Sequence, residues 1–132
     1  MLIKRKPVDY MKTNNRQNEL IEKYLIELDK HISELKLGKA KKIFQIKDFA
    51  ELLFVHPRHL SNTIYKVLGK SPCDIYEKKL MGISKELILT TDLSIAAIAR
   101  HLTYDPSNFS KFFKRFAGIT PKQFREKQKI KN

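Results

Sequence analysis

The chain has 132 residues, enough for one compact unit or two very small ones. Lys and Arg number 27 against 14 Asp and Glu, a formal net charge of +13. So much self-repulsion in a small chain calls for an anionic partner. No apolar run approaches the roughly 20 residues of a membrane span. Met1-Leu2-Ile3 runs directly into Lys4-Arg5-Lys6, with no signal-peptide core. The lone Cys73 excludes an internal disulfide. These features predict a cytoplasmic protein with no membrane partner.

Residues 1–18 hold Lys4, Arg5, Lys6, Lys12 and Arg16 with little apolar periodicity, and predict a flexible basic arm. From Glu19 to Leu37, Ile21, Leu25, Leu28, Ile32 and Leu35 recur at alternating steps of four and three. They predict a helix stopped by Gly38. The repeat is too short for a coiled-coil seam, so packing onto the first helix pair is expected. Ile46 to Leu68 then reads as two short helices joined by a tight turn.

Ser71 caps the next helix, with Pro72 in its first position. Cys73 is expected there as a small buried filler. Tyr76, Leu80, Ile83 and Leu87 stripe one face to about Thr90, giving a bridging helix about 27 Å long. Ser94 caps a second pair of short helices. Ile95, Ile98, Ala99 and Leu102 form the stripe of the first, and Asp105-Pro106 starts the second. In that helix Phe109, Phe113 and Phe116 are expected to face inward, while Ser107, Ser110, Lys111 and Lys114 fall on the opposite side. A Thr120-x-x-Gln123 capping box opens a last short helix, and a basic tail follows.

The second helix pair repeats the first. Ile46, Ala50, Leu53, Pro57, Ser61, Gly69 and Pro72 recur, with no gap, as Ile95, Ala99, Leu102, Pro106, Ser110, Gly118 and Pro121. One supersecondary unit has been built twice. Each copy carries the marks of a helix-turn-helix, whose second helix presents a small, polar and basic face. Ser and Asn stabilise a merely solvated helix face poorly, but suit one lying close to base edges.

The stretch S-I-A-x-I-A-x-x-L-x-Y-D-P-S-x-F-S-K-x-F-K-R-x-x-G-I-T-P-x-x-F-R, residues 94–125, resembles the signature of the AraC/XylS-type bacterial transcription regulators. The resemblance extends back to about Glu19. It implies an all-α fold of about seven helices, with two helix-turn-helix units bridged by a long helix. The organisation expected is an arm at 1–18, a first unit with the linker helix at 19–90, a second unit at 91–127 and a tail at 128–132. Recognition helices at about 57–68 and 106–117 would enter successive major grooves of double-stranded DNA.

By position, the family's base-facing sites fall on Arg58, Ser61 and Asn62, and on Ser107, Ser110 and Lys111. Arg58 and Lys111 can reach guanine and Asn62 adenine. Phosphate contacts are expected from Lys66, Lys70, Lys114, Arg115 and Lys122. RNA polymerase is expected as a further partner, and the chain is expected to bind DNA as a monomer. The sequence departs from the family where glycine is usual in the turn, since Phe54 and Thr103 stand there. His56 replaces the common Ser cap, and Thr63 stands opposite Phe112 in the repeat.

Other chemistries find little support. His56 and His59 have no third ligand nearby, so no metal or other cofactor is expected. There is no glycine-rich phosphate loop, carboxylate pair or catalytic triad, and no enzyme is expected. A basic RNA-binding protein, the alternative, would expose aromatics for stacking, whereas most Phe and Tyr here fall on inward stripes. Family members often carry a ligand-sensing domain, for which this length leaves no room. The chain therefore reads as a stand-alone DNA-binding member or a piece of a longer regulator.

Overall fold

A computed structural model describes residues 14–131, and seven helices with no strand are found among them. They are α1 (Asn15–Lys36), α2 (Ile46–Leu52), α3 (Pro57–Leu68), α4 (Pro72–Thr90), α5 (Ile95–His101), α6 (Pro106–Ala117) and α7 (Pro121–Lys131). The all-α expectation therefore holds, and both second helices of the repeat have the predicted bounds.

Helix α1 starts ahead of Glu19 because of a reciprocal cap. The Gln17 amide donates to Asn14 Oδ1 at 2.7 Å, and the Asn14 amide donates to Gln17 Oε1 at 3.3 Å. Residues 15–18, read from sequence as part of the flexible arm, are thus helical. Residues 1–13 of that arm lie outside the described residues. At the other end, α7 runs on to Lys131, so residues 128–131 of the expected tail are helical too.

The described residues fall into two compact units. One contains residues 14–31 and 44–76, the other residues 32–43 and 77–131. In the first, Ile21, Tyr24 and Leu28 of α1, Phe49 and Ala50 of α2, and Leu60, Ile64 and Val67 of α3 are buried. Tyr24 meets Phe49 edge-on at 5.5 Å, so the α1 face turns on Tyr24 rather than the half-buried Leu25. Burial pushes the Tyr24 phenol up to about 12. His31 stacks on Phe44 at 4.1 Å, and its Nε2 lies 2.8 Å from the Tyr76 hydroxyl. The Phe44 amide donates to the same Nε2 at 3.1 Å, which leaves the ring proton on Nδ1.

In the second unit, Leu80, Met81, Ile83, Leu87 and Ile88 of α4 are buried, as are Ile98 and Ala99 of α5 and Phe109, Phe112 and Phe113 of α6. The last turn of α1 belongs to this unit, not to the first pair that the sequence suggested. His101 Nε2–H donates to the Lys36 carbonyl at 2.6 Å. Gly38, at φ +74°, closes α1 so tightly that a Cβ there would lie 2.6 Å from the His101 ring.

Two further expectations fail. Cys73 is exposed, because the packed part of α4 begins only at Tyr76. Phe116 is 46% exposed, and Phe112, 4% exposed, takes the inward place. The inward set is therefore 109, 112 and 113, spaced i, i+3 and i+4. Phe116 lies in the last turn, where α6 runs beyond its packing surface.

Candidate nucleic-acid interface

Both helix pairs turn through the same device. Val55 N–H donates to Ala50 O at 3.0 Å and Phe54 N–H to Glu51 O at 3.2 Å. In the second pair Tyr104 N–H donates to Ala99 O at 2.8 Å and Thr103 N–H to Arg100 O at 2.9 Å. This double pattern is a Schellman cap, which needs a left-handed residue at its centre. Phe54 at φ +58° and Thr103 at φ +65° occupy that centre without being glycine. Each turn therefore holds a side-chain-bearing residue in the strained left-handed region. Thr103 Oγ1 is also buried without a hydrogen bond.

The second helices start and stop alike. His56 Nδ1 accepts from the Arg58 amide at 3.0 Å, doing the work of the missing Ser cap. The Asp105 carboxylate accepts from the Ser107 and Asn108 amides at 3.1 and 3.2 Å. Proline opens each helix, and Gly69 (φ +72°) and Gly118 (φ +83°) close them in left-handed C-caps.

These caps and stripes fix which side chains face out. On α3, Leu60, Thr63, Ile64 and Val67 are buried. Thr63 lies where α6 has a ring, and its hydroxyl donates to His59 O at 2.7 Å. Arg58, Asn62 and Lys66 are exposed and Ser61 half-buried, on the opposite face; Lys70 is exposed just past the helix. On α6, Ser107, Lys111, Lys114 and Arg115 are exposed and Ser110 half-buried, and Lys122 is exposed in the first turn of α7. Helical spacing thus puts Arg58, Ser61, Asn62 and Lys66 on one side of α3, and Ser107, Ser110, Lys111, Lys114 and Arg115 on one side of α6.

Arg115 has company on that face. Its Nη2 donates to Glu77 Oε2 at 3.2 Å, and its guanidinium lies 5.1 Å from the Phe116 ring centre. One outward residue was missed by the sequence reading. Tyr65, 58% exposed, stands one turn beyond Ser61 and Asn62 on the Arg58 face. Its place opposite Lys114 in the repeat was the signal. Among the described residues no group of three His, Cys, Asp or Glu could hold a metal ion, and no helix is long and apolar enough to cross a membrane.

Comparison with known proteins agrees with this geometry. A family model described as "Helix-turn-helix domain" matches residues 49–127, more than half of the chain. The HTH-type transcriptional regulator YisR of Bacillus subtilis is 26% identical over 140 residues, covering 92% of this chain and 49% of YisR. The chain thus spans about half the length of that relative. The C-terminal domain of AraT, a response regulator of Geobacillus stearothermophilus, superposes with a TM-score of 0.71. It is 31% identical, over 82% of this chain and 84% of that one. The DNA-binding domain of AdpA, a global transcriptional factor solved with a target DNA, shares the fold at a TM-score of 0.68. Its identity is 18%, over 86% of this chain and 95% of that one. With a helix-turn-helix in each unit, a family model over most of both, and the signature at 94–125, the chain belongs to the AraC/XylS-type family of helix-turn-helix DNA-binding regulators.

Proposed function

We propose that this chain binds double-stranded DNA in a sequence-specific way and regulates transcription. One observation carries the reading. A helix-turn-helix recurs 49 positions later, Ile46 to Ile95, with the same turn and the same glycine C-cap, and each copy shows a buried apolar face and a polar, basic outer face. The AdpA domain, of the same fold, binds a target DNA, which supports it.

In this reading α3 and α6 enter successive major grooves, about 34 Å apart. Arg58, Ser61 and Asn62 read one set of base edges, and Ser107, Ser110 and Lys111 the other. Lys66, Lys70, Lys114, Arg115 and Lys122 hold phosphates. Residues 19–90 and 91–127 serve as the two halves of one module, which acts as a monomer on DNA. RNA polymerase is the protein partner and the bacterial cytoplasm the setting.

Selection of bound sequences from random duplex DNA tests the reading. A two-box site should emerge, bound by one chain. Its affinity should fall on the order of 10³- to 10⁵-fold between about 50 and 200 mM salt, if six to ten phosphates are held. A flat salt response, or single-stranded RNA competing as well as the selected duplex, would replace this reading with the alternative one.

A further inference from the structure

Arg125 belongs to the family signature, yet its charge does not face outward with the lysines. Its Nε–H donates to Ile88 O at 3.0 Å, Nη2 to Thr91 O at 3.2 Å, and Nη1 to Leu93 O at 2.6 Å. Ile88 O is among the last carbonyls of α4, which the helix itself leaves without partners. The other two lie in the short link between α4 and α5. A planar fork of five N–H donors can hold three carbonyls at once, which a lysine ammonium on its flexible stem cannot reproduce.

The neighbouring residue extends the connection. Phe124 packs its ring 5.5 Å from Phe113, in the buried face of recognition helix α6. The same turn of α7 therefore grips the end of the bridging helix with Arg125 and the back of α6 with Phe124.

We propose that Arg125 is a positioning residue. It fixes the rotation of α6 about the end of α4, and so makes binding depend on the spacing between the two DNA boxes. The proposal rests on the two-box reading above.

The test uses the full chain and the duplex selected by it, together with duplexes carrying one or two base pairs inserted between the boxes. Two extra base pairs turn the second groove through roughly 70°, at 10–10.5 base pairs per turn. The wild-type chain should lose about 10- to 100-fold in affinity, the equivalent of one well-made base contact. Arg125→Lys and Arg125→Gln should bind the parent duplex more weakly and respond to the insertions by about threefold or less. Their base preferences within each box and their salt slope should match wild type. A glycine inserted between Asp92 and Leu93 moves a carbonyl out of reach while keeping every side chain, and should loosen the spacing in the same way.

Retained spacing dependence in the folded substitution variants and the insertion variant would overturn the proposal. So would a salt slope about one unit shallower in Arg125→Gln and restored in Arg125→Lys, because that identifies a phosphate ligand. A wild-type chain that selects no duplex at all would overturn the DNA-binding reading, and this proposal with it.

Discussion

The two helix-turn-helix units share a backbone and differ in where their aromatic bulk sits. In the second unit the recognition helix carries it: Phe109, Phe112 and Phe113 are buried, and Tyr104 stacks on Phe112 at 5.7 Å. In the first, α3 offers only Leu60, Thr63, Ile64 and Val67, and the ring lies on α2 instead. Phe49 occupies the place of Ile98, and is surrounded by Tyr24, His31 and Phe44, which all come from outside the repeat. Core volume can thus move between helices while the pattern of apolar and polar positions is kept. One recognition helix is anchored by its own rings. The other is anchored through its neighbour to α1.

The largest effects should come from removing either anchor. Phe113→Ala and Phe49→Ala should each destabilise by about 3–5 kcal/mol, and Ile64→Ala by about 2–5 kcal/mol. Hydrogen exchange separates them. Phe113→Ala should expose amides from Ile98 to Phe116, and Phe49→Ala those from Phe49 to Val67. If Phe49→Ala leaves the protection of α3 intact, α1 is not its anchor.

Alkaline pH should open the first unit before the second. The folded Tyr24 phenol, at about 12, lies above the ordinary 10.0. Between those values the unfolded chain gives up its proton first. The stabilisation is therefore full below about pH 10 and is lost as pH rises through 12, on the order of 2–3 kcal/mol in all. Tyrosinate absorbance of wild type against Tyr24→Phe measures the titration. A unit 1 equally labile in Tyr24→Phe would remove Tyr24 as the cause.

On DNA the base-facing and the phosphate-facing positions should fail differently when mutated. Arg58→Ala, Asn62→Ala and Lys111→Ala should each lose about 1–3 kcal/mol on the best site and relax one base position, whereas Lys66→Ala should weaken all sequences alike. Lys111→Ala lowering affinity for random and selected duplexes equally would make Lys111 a phosphate contact.

The smallest effects belong to the turns. Phe54→Gly and Thr103→Gly should both stabilise, since strain of about 1–3 kcal/mol is exchanged for about 0.5–1 kcal/mol of backbone entropy. Thr103→Gly should gain more, because it also removes a β-branch and a buried hydroxyl without a partner. The Phe54 ring is 94% exposed, so its loss forfeits almost no packing. Denaturant midpoints rank the two variants, and a Phe54 gain exceeding that of Thr103 would reverse the argument.

The sequence alone determined the elements that rest on local physics. Helices α3 and α6 were legible to the residue, because proline opens each one, glycine closes it, and both signals act within a single turn. The offset of 49 was legible from the repeated residues, and helical periodicity placed the predicted polar and basic side chains on outward faces while missing Tyr65 and Phe116. Other features depended on tertiary structure. Whether Phe112 or Phe116 turns inward depends on how far the packing surface runs along α6, and Cys73 is exposed because packing on α4 starts at Tyr76. The last turn of α1 joins the second unit through a contact between Lys36 and His101, 65 positions apart. Arg125 reads in sequence as one more positive charge. Only the fold brings three carbonyls from 32 to 37 positions away to meet its guanidinium, since no local pattern specifies contacts over that separation.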